Sequence, residues 1–180
     1  MEKKFILTDK FVINSFGIKL FQIKCTKSFK YAQKGDFGGY VEKEGNLDQK
    51  NDAWVSGNAR VFGNARVSGD ARVSGDAWVS DNARVSGDAL VSGNAWVSGD
   101  ADIENDNEHC GFDGFGSCNR HTHAYMTKEK KVEIICGCFR GSIEEFENKV
   151  EETHSGTVYE KQYKSIINVI KIKFGLTDFT

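Results

Sequence analysis

Seven histidine and cysteine side chains, able to bind a metal or move a proton, fall between residues 109 and 138: His109, Cys110, Cys118, His121, His123, Cys136 and Cys138. Zinc takes four nitrogen or sulfur ligands in a tetrahedron, and Cys118-x2-His121 with Cys136-x-Cys138 could supply them. That spacing is neither a standard finger nor a ribbon. Cysteine is also a small buried hydrophobe. Cys136-Gly137-Cys138 closes the strand-like run Val132-Glu133-Ile134-Ile135, which would put residues 136 and 138 on one face. Buried thiols, with no metal and no other cofactor, are therefore expected. His109 is the candidate general base nearest the repeats that precede it, since a neutral imidazole accepts a proton near pH 7. The sequence offers no second group to orient it, so catalysis is not expected.

The other chemistry sits in a repeat. From Asn58-Ala59-Arg60-Val61-Phe62-Gly63 to Asp100-Ala101-Asp102-Ile103, six-residue units follow one another. An aliphatic residue falls at every sixth position from 55 to 103, with alanine two residues before each, nine times in phase. Six fits neither a helix nor one long strand. Within a unit Ala-x-Val alternates, so Ala and Val share one face. The Gly-Asn or Gly-Asp pair that follows is a turn signal, because these residues tolerate positive φ. Each unit therefore predicts a three- or four-residue strand and a corner. Three corners close a triangle of 18 residues, so nine units make about three coils. Val41 and Leu47 share the six-residue spacing but stand two residues out of phase, which suits an irregular first half-coil.

Stacking every eighteenth residue makes three outward columns: Trp54, Arg72 and Leu90; Arg60, Trp78 and Trp96; Arg66, Arg84 and Asp102. All three tryptophans occupy this one position of the repeat. Trp and Arg dominate binding hot spots, and a guanidinium beside a stacked ring suits bases and phosphates. The seven residues Arg60, Trp78, Trp96, Trp54, Arg72, Arg66 and Arg84 are the expected binding set. The corner Asn and Asp residues are expected to bond their own backbone.

Flanking regions complete the layout. Residues 1–50 carry a net charge of +4, 51–108 of −6, and 109–180 of 0. That balance excludes a nucleic-acid-coating protein by bulk charge. Phe5-Ile6-Leu7, Phe11-Val12-Ile13 and Ile18 to Ile23 read as short strands, with Asn14-Ser15-Phe16-Gly17 as a hairpin turn. Thr122 to Met126 and Val132 to Cys138 read as two strands. Ser142-Ile143-Glu144-Glu145 is a capping box opening a helix, and Thr157 with Glu160 opens a second, whose apolar face would be Tyr159, Tyr163, Ile166, Ile167, Val169, Ile170 and Phe174. The expected domains are an N-terminal β cap with the lead-in to the solenoid (1–50), the repeats (51–108) and a C-terminal α/β domain (109–180). The five cysteines, an odd number, suit free thiols. No apolar run long enough for a membrane span or a signal core is present, so a cytoplasmic protein is expected.

The repeated Val-Ser-Gly-Asn-Ala-Arg resembles the hexapeptide repeat of left-handed parallel β-helix proteins over about 53–103. The pattern Lys34-Gly35-Asp36-Phe37-Gly38-Gly39-Tyr40-Val41-Glu42 leading into Asn-Ala-Arg-Val repeats also resembles a group of phage and prophage proteins. Cys136-Gly137-Cys138-Phe139-Arg140-Gly141 and the two helices resemble a terminal module on such proteins. The first resemblance implies a mainly β fold: a short left-handed parallel β-helix between a β cap and an α/β cap. It implies a homo-oligomer, a trimer above all. It also implies acyl transfer as the chemistry best known on this fold, for which His109 would be the base. The phage resemblance implies a non-enzymatic module presenting a rigid surface to a host or defence protein. A nucleotide-like anionic ligand held between subunits by the Trp and Arg columns, and the acyltransferase, are the alternatives.

Overall fold

The computed structural model describes residues 2–177. The chain forms two compact units, Met1–Asp106 and Asn107–Thr180. In the first, β1 (Phe5–Ile13), β2 (Lys19–Cys25) and β3 (Phe37–Val41) precede nine strands of two residues each: β4 (Trp54–Val55), β5 (Arg60–Val61), β6 (Arg66–Val67), β7 (Arg72–Val73), β8 (Trp78–Val79), β9 (Arg84–Val85), β10 (Leu90–Val91), β11 (Trp96–Val97) and β12 (Asp102–Ile103).

The nine strands wind into a β-solenoid. Parallel ladders run β4-β7-β10, β5-β8-β11 and β6-β9-β12, each linking residues 18 apart, as with Val61↔Val79 and Val79↔Val97. The strands are shorter than the spacing predicts because the corner takes four residues, Ser-Gly-Asn/Asp-Ala. The Ala59 amide reaches the Ser56 carbonyl at 3.3 Å across one such corner. Its first central residue has positive φ, +64° at Gly57, the pattern of a type II′ turn. Asp81 alone replaces glycine at this place, with φ +57°, and its carboxylate accepts a hydrogen bond from the Gly99 amide at 3.1 Å.

The repeat's Ala and Val side chains fill the coil interior: Val55, Val61, Val73, Val79, Val85, Val91, Val97 and Ile103 are all sealed from solvent. Burying a valine contributes roughly 1.5–3 kcal/mol, and the solenoid repeats this coil after coil. Corner side chains bond between coils, Asn58 Nδ2 to Asp76 Oδ1 at 3.1 Å and Asn64 Nδ2 to Asn82 Oδ1 at 3.3 Å. The expectation of purely local turn bonding is corrected at these corners, because stacking brings equivalent side chains within reach.

The solenoid is nearly one coil longer than the phased repeat. Val41 pairs in parallel with Val61, and Leu47 bridges Val67. The two extra residues are absorbed in 48–53, where the Asp48 carboxylate accepts from the Lys50 and Asn51 amides. The sheet β1-β2-β3-β5-β8-β11 then changes from antiparallel to parallel at β3. The two strands expected over 5–13 are one strand, irregular between Leu7 and Phe11. Lys4, buried at this end, donates to the Asn51 and Ala53 carbonyls at 2.5 and 2.7 Å. Burial lowers its pKa despite the nearby Asp48 and Asp52 carboxylates.

The second unit is α/β. Strands β13 (His109–Phe115), β14 (Arg120–Met126), β15 (Val132–Cys136) and β16 (Phe139–Ser142) form one antiparallel sheet in that order. Helices α1 (Ile143–His154) and α2 (Val158–Lys173) share a core with it. Ser142 and Glu145 form the capping box, and Thr157 accepts from the Glu160 amide. β13 and β16 were not legible, because glycines interrupt their alternation. Val169, expected in the apolar face of α2, is 48% exposed.

Candidate functional site

The three columns form in the predicted register. Trp54 pairs with Arg72 and Arg72 with Leu90; Arg60 with Trp78 and Trp78 with Trp96; Arg66 with Arg84 and Arg84 with Asp102. Their surroundings differ, and that separates them functionally.

In the second column the Arg60 guanidinium lies 5.0 Å from the Trp78 ring centre, and Trp78 meets Trp96 edge-on at 6.1 Å. Phe62, from the repeat's serine position, and Phe16, from the β1–β2 turn, complete an aromatic cluster around Trp78. Phe16 remains 59% exposed. The third column is Arg66, Arg84 and Asp102, and its two arginines are exposed.

The first column opens into a cleft of about 390 Å³. Trp54, Ser56, Arg72, Ser74 and Leu90 form its solenoid wall, and Tyr31, Asp36 and Phe37 its opposite wall. Trp54 is buried, held edge-on by Phe29 at 5.4 Å. The Arg72 guanidinium sits 5.0 Å from the Tyr31 ring centre, within cation–π reach. Lys30 Nζ lies 4.9 Å from the same ring and 3.5 Å from an Asp70 carboxylate oxygen. Among the described residues Arg72 makes no ion pair and no hydrogen bond, so its donor fork is uncommitted. Asp36 is engaged locally, accepting from the Gln33 amide at 2.8 Å. Tyr31, Asp36 and Phe37 were missed in the sequence; the aromatic-basic run Phe29-Lys30-Tyr31 marks a surface suited to binding but not the column it faces.

The histidines and cysteines of the second unit scatter over two faces. His109, His121 and His123 share one face of β13–β14. His109 Nδ1 lies 3.2 Å from His123 Nε2, and His121 Nδ1 lies 2.8 Å from Asp113 Oδ1. His109 thus has an orienting neighbour that the sequence did not reveal, because antiparallel pairing brings residue 123 beside it. Cys136 lies on the other face, in the core. Cys118 and Cys138 are exposed. The expectation that residues 136 and 138 share a face is corrected: the strand ends at Cys136, and Gly137 turns the chain at φ +60°. Among the described residues no group of three or more His, Cys, Asp or Glu is placed to hold a metal ion.

Thiol reactivity follows from this placement. Burial pushes the Cys110 thiol up to about 11, so at pH 8 only ~0.1% of it is thiolate, the reactive form. Burial also raises Cys25, and Cys136 is enclosed. Iodoacetamide at pH 8 should therefore modify Cys118 and Cys138 quickly and the other three only after unfolding. Raising the pH through 11 should recruit Cys110. Peptide mapping by mass spectrometry reads this, and early labelling of Cys110 or Cys136 would contradict the burial argument.

Residues 53–68, 65–81 and 83–99 match the family model described as the YdcK beta solenoid repeat. A search of curated proteins found no match to the chain. Among the described residues no helix is long and apolar enough to cross a membrane.

Proposed function

We propose that this β-solenoid repeat protein is a non-enzymatic binding module whose first column holds a planar anionic ligand of the nucleotide type. One observation carries the reading: an uncommitted Arg72 guanidinium within an aromatic-walled cleft. Trp54, Tyr31 and Phe37 offer faces and edges to a ring, and Arg72 offers paired donors to a phosphate. The cleft volume lies within the range of small-molecule sites. Ser56 and Ser74 add hydroxyls on the same wall. Asp36, the carboxylate on the wall, is already bound to the Gln33 backbone amide, and recognition rather than turnover is the role proposed.

Adenosine monophosphate is the probe, with adenosine as the uncharged control. At about 0.3 kcal/mol for each of roughly 23 non-hydrogen atoms, the dissociation constant would be about 10 µM. Titration should quench tryptophan fluorescence saturably with the monophosphate and at least tenfold more weakly with adenosine. Equal responses to the two, or none, would remove the reading.

A second reading rests on the Phe16–Phe62–Trp78–Trp96 cluster with its exposed Phe16. Exposed aromatics of this kind anchor protein partners, here a second copy, as in a trimer, or a host component if the chain is phage-encoded and cytoplasmic. Phe16→Ser should lower the oligomeric mass in analytical ultracentrifugation; an unchanged mass leaves a heterologous partner as the target of this surface.

A further inference from the structure

The second unit contains a cavity of its own, about 230 Å³, between β14, β15, β16 and the two helices. Phe139, Phe146, Val150 and Tyr163 line it with apolar surface. Phe146 meets Tyr163 edge-on at 5.6 Å, and His154 stacks on Tyr163 at 5.5 Å. Arg120, Lys149 and His154 are the lining groups able to carry positive charge, and no carboxylate lines the cavity. Lys149 is engaged with Glu152 at 2.7 Å. Arg120 has no hydrogen bond or ion pair among the described residues; the space above Gly137 that a side chain would fill is occupied by its guanidinium.

We infer that this cavity binds a small monocarboxylate with an apolar body, the carboxylate on Arg120 and the body against Phe146, Val150 and Tyr163. The planar fork of arginine matches a carboxylate through two parallel bonds. The apolar walls exclude a bare inorganic anion as the preferred ligand, since it would leave their surface wet. The site lies wholly in the second unit and stands independently of the nucleotide cleft.

Cys138 lines the cavity and is exposed, whereas Cys118 is exposed and does not line it. Occupancy can therefore be read as protection of one thiol with the other as internal control. Phenylacetate is the probe, with phenylacetamide and inorganic phosphate as comparisons, all on the full chain. Phenylacetate should slow iodoacetamide labelling of Cys138 saturably, at least fivefold, and leave Cys118 unchanged. Phenylacetamide and phosphate should protect at least tenfold more weakly. Arg120→Gln should abolish protection at an unchanged melting temperature; Lys149→Gln, on the exposed side of α1, should weaken it about threefold. Equal protection by phenylacetamide would overturn the carboxylate, and equal protection by phosphate would overturn the apolar body. No saturable protection, or full protection retained in both variants, would overturn the site.

Discussion

Replacing Gly87 with alanine lowers the stability of the solenoid by about 3 kcal/mol, while the same change at Gly93 costs about 1 kcal/mol. Both glycines occupy the same corner position, with φ of +59° and +67°. Either alanine meets the left-handed penalty of roughly 1–2 kcal/mol. At Gly87 a Cβ would also stand 2.1 Å from the Glu104 carbonyl oxygen, whereas at Gly93 it meets nothing within 4 Å. That oxygen belongs to the backbone and accepts a hydrogen bond from the Asp88 amide at 3.1 Å. To clear the clash the next coil must shift, and the coil-to-coil bond goes with it. All three tryptophans lie in the repeats, so their fluorescence during urea unfolding follows the solenoid. Equal midpoints for the two variants would show that the coils yield without cost at this corner.

Reversing the charge at Arg72 should weaken the proposed nucleotide binding severely without unfolding the protein. Arg72 is exposed on the wall between Trp54 and Leu90 and carries no ion pair or hydrogen bond among the described residues. Substitution there loses the cation–π contact with Tyr31, worth about 0.5–1 kcal/mol at an exposed site, which is too little to unfold the chain. A hydrogen bond to a charged group is worth about 1.5–3 kcal/mol, and glutamate adds repulsion toward the phosphate. Arg72→Glu should therefore weaken adenosine monophosphate by about 100-fold or more. Arg66→Glu, which reverses the same charge on the third column, outside the lining of the cleft, should change affinity by less than about threefold, because exposed charges are screened by salt. Similar losses in both variants would mean that net charge attracts the nucleotide and that the cleft has no part in it.

Alkaline pH should act on the second unit through Tyr163. Burial, helped by its contact with Cys136, pushes this phenol up to about 12. The neutral form is therefore favoured by folding. Its contribution is complete below pH 10 and is lost as pH climbs through 12. Cys110, raised to about 11, has the same sign and loses its contribution between 9 and 11.

The repeat was legible in the residues because its period is its geometry. Val and Ala recur every six positions, and only an 18-residue coil puts all of them inside at once. The columns followed directly, since coil stacking turns sequence separation into spatial contact. The two helices were legible from their caps, and Ser142 and Thr157 both cap as their neighbours imply. Local chemistry decides these features, and local chemistry is written in order along the chain.

What lay beyond the sequence was every pairing between distant segments. Nothing in residues 26–37 says that Tyr31 will face Arg72, because that contact depends on where β3 joins the first coil. Nothing at His109 announces His123, because antiparallel register rather than spacing brings the two rings together. The three columns look alike as sequence, each a run of Trp, Arg, Leu or Asp. They differ in what residues 16–37 lay over them: a cleft on the first and an aromatic cluster on the second, while Arg66 and Arg84 of the third stay exposed. A repeat fixes its own wall through short-range order, whereas the use of each face is set by long-range packing that no periodicity encodes.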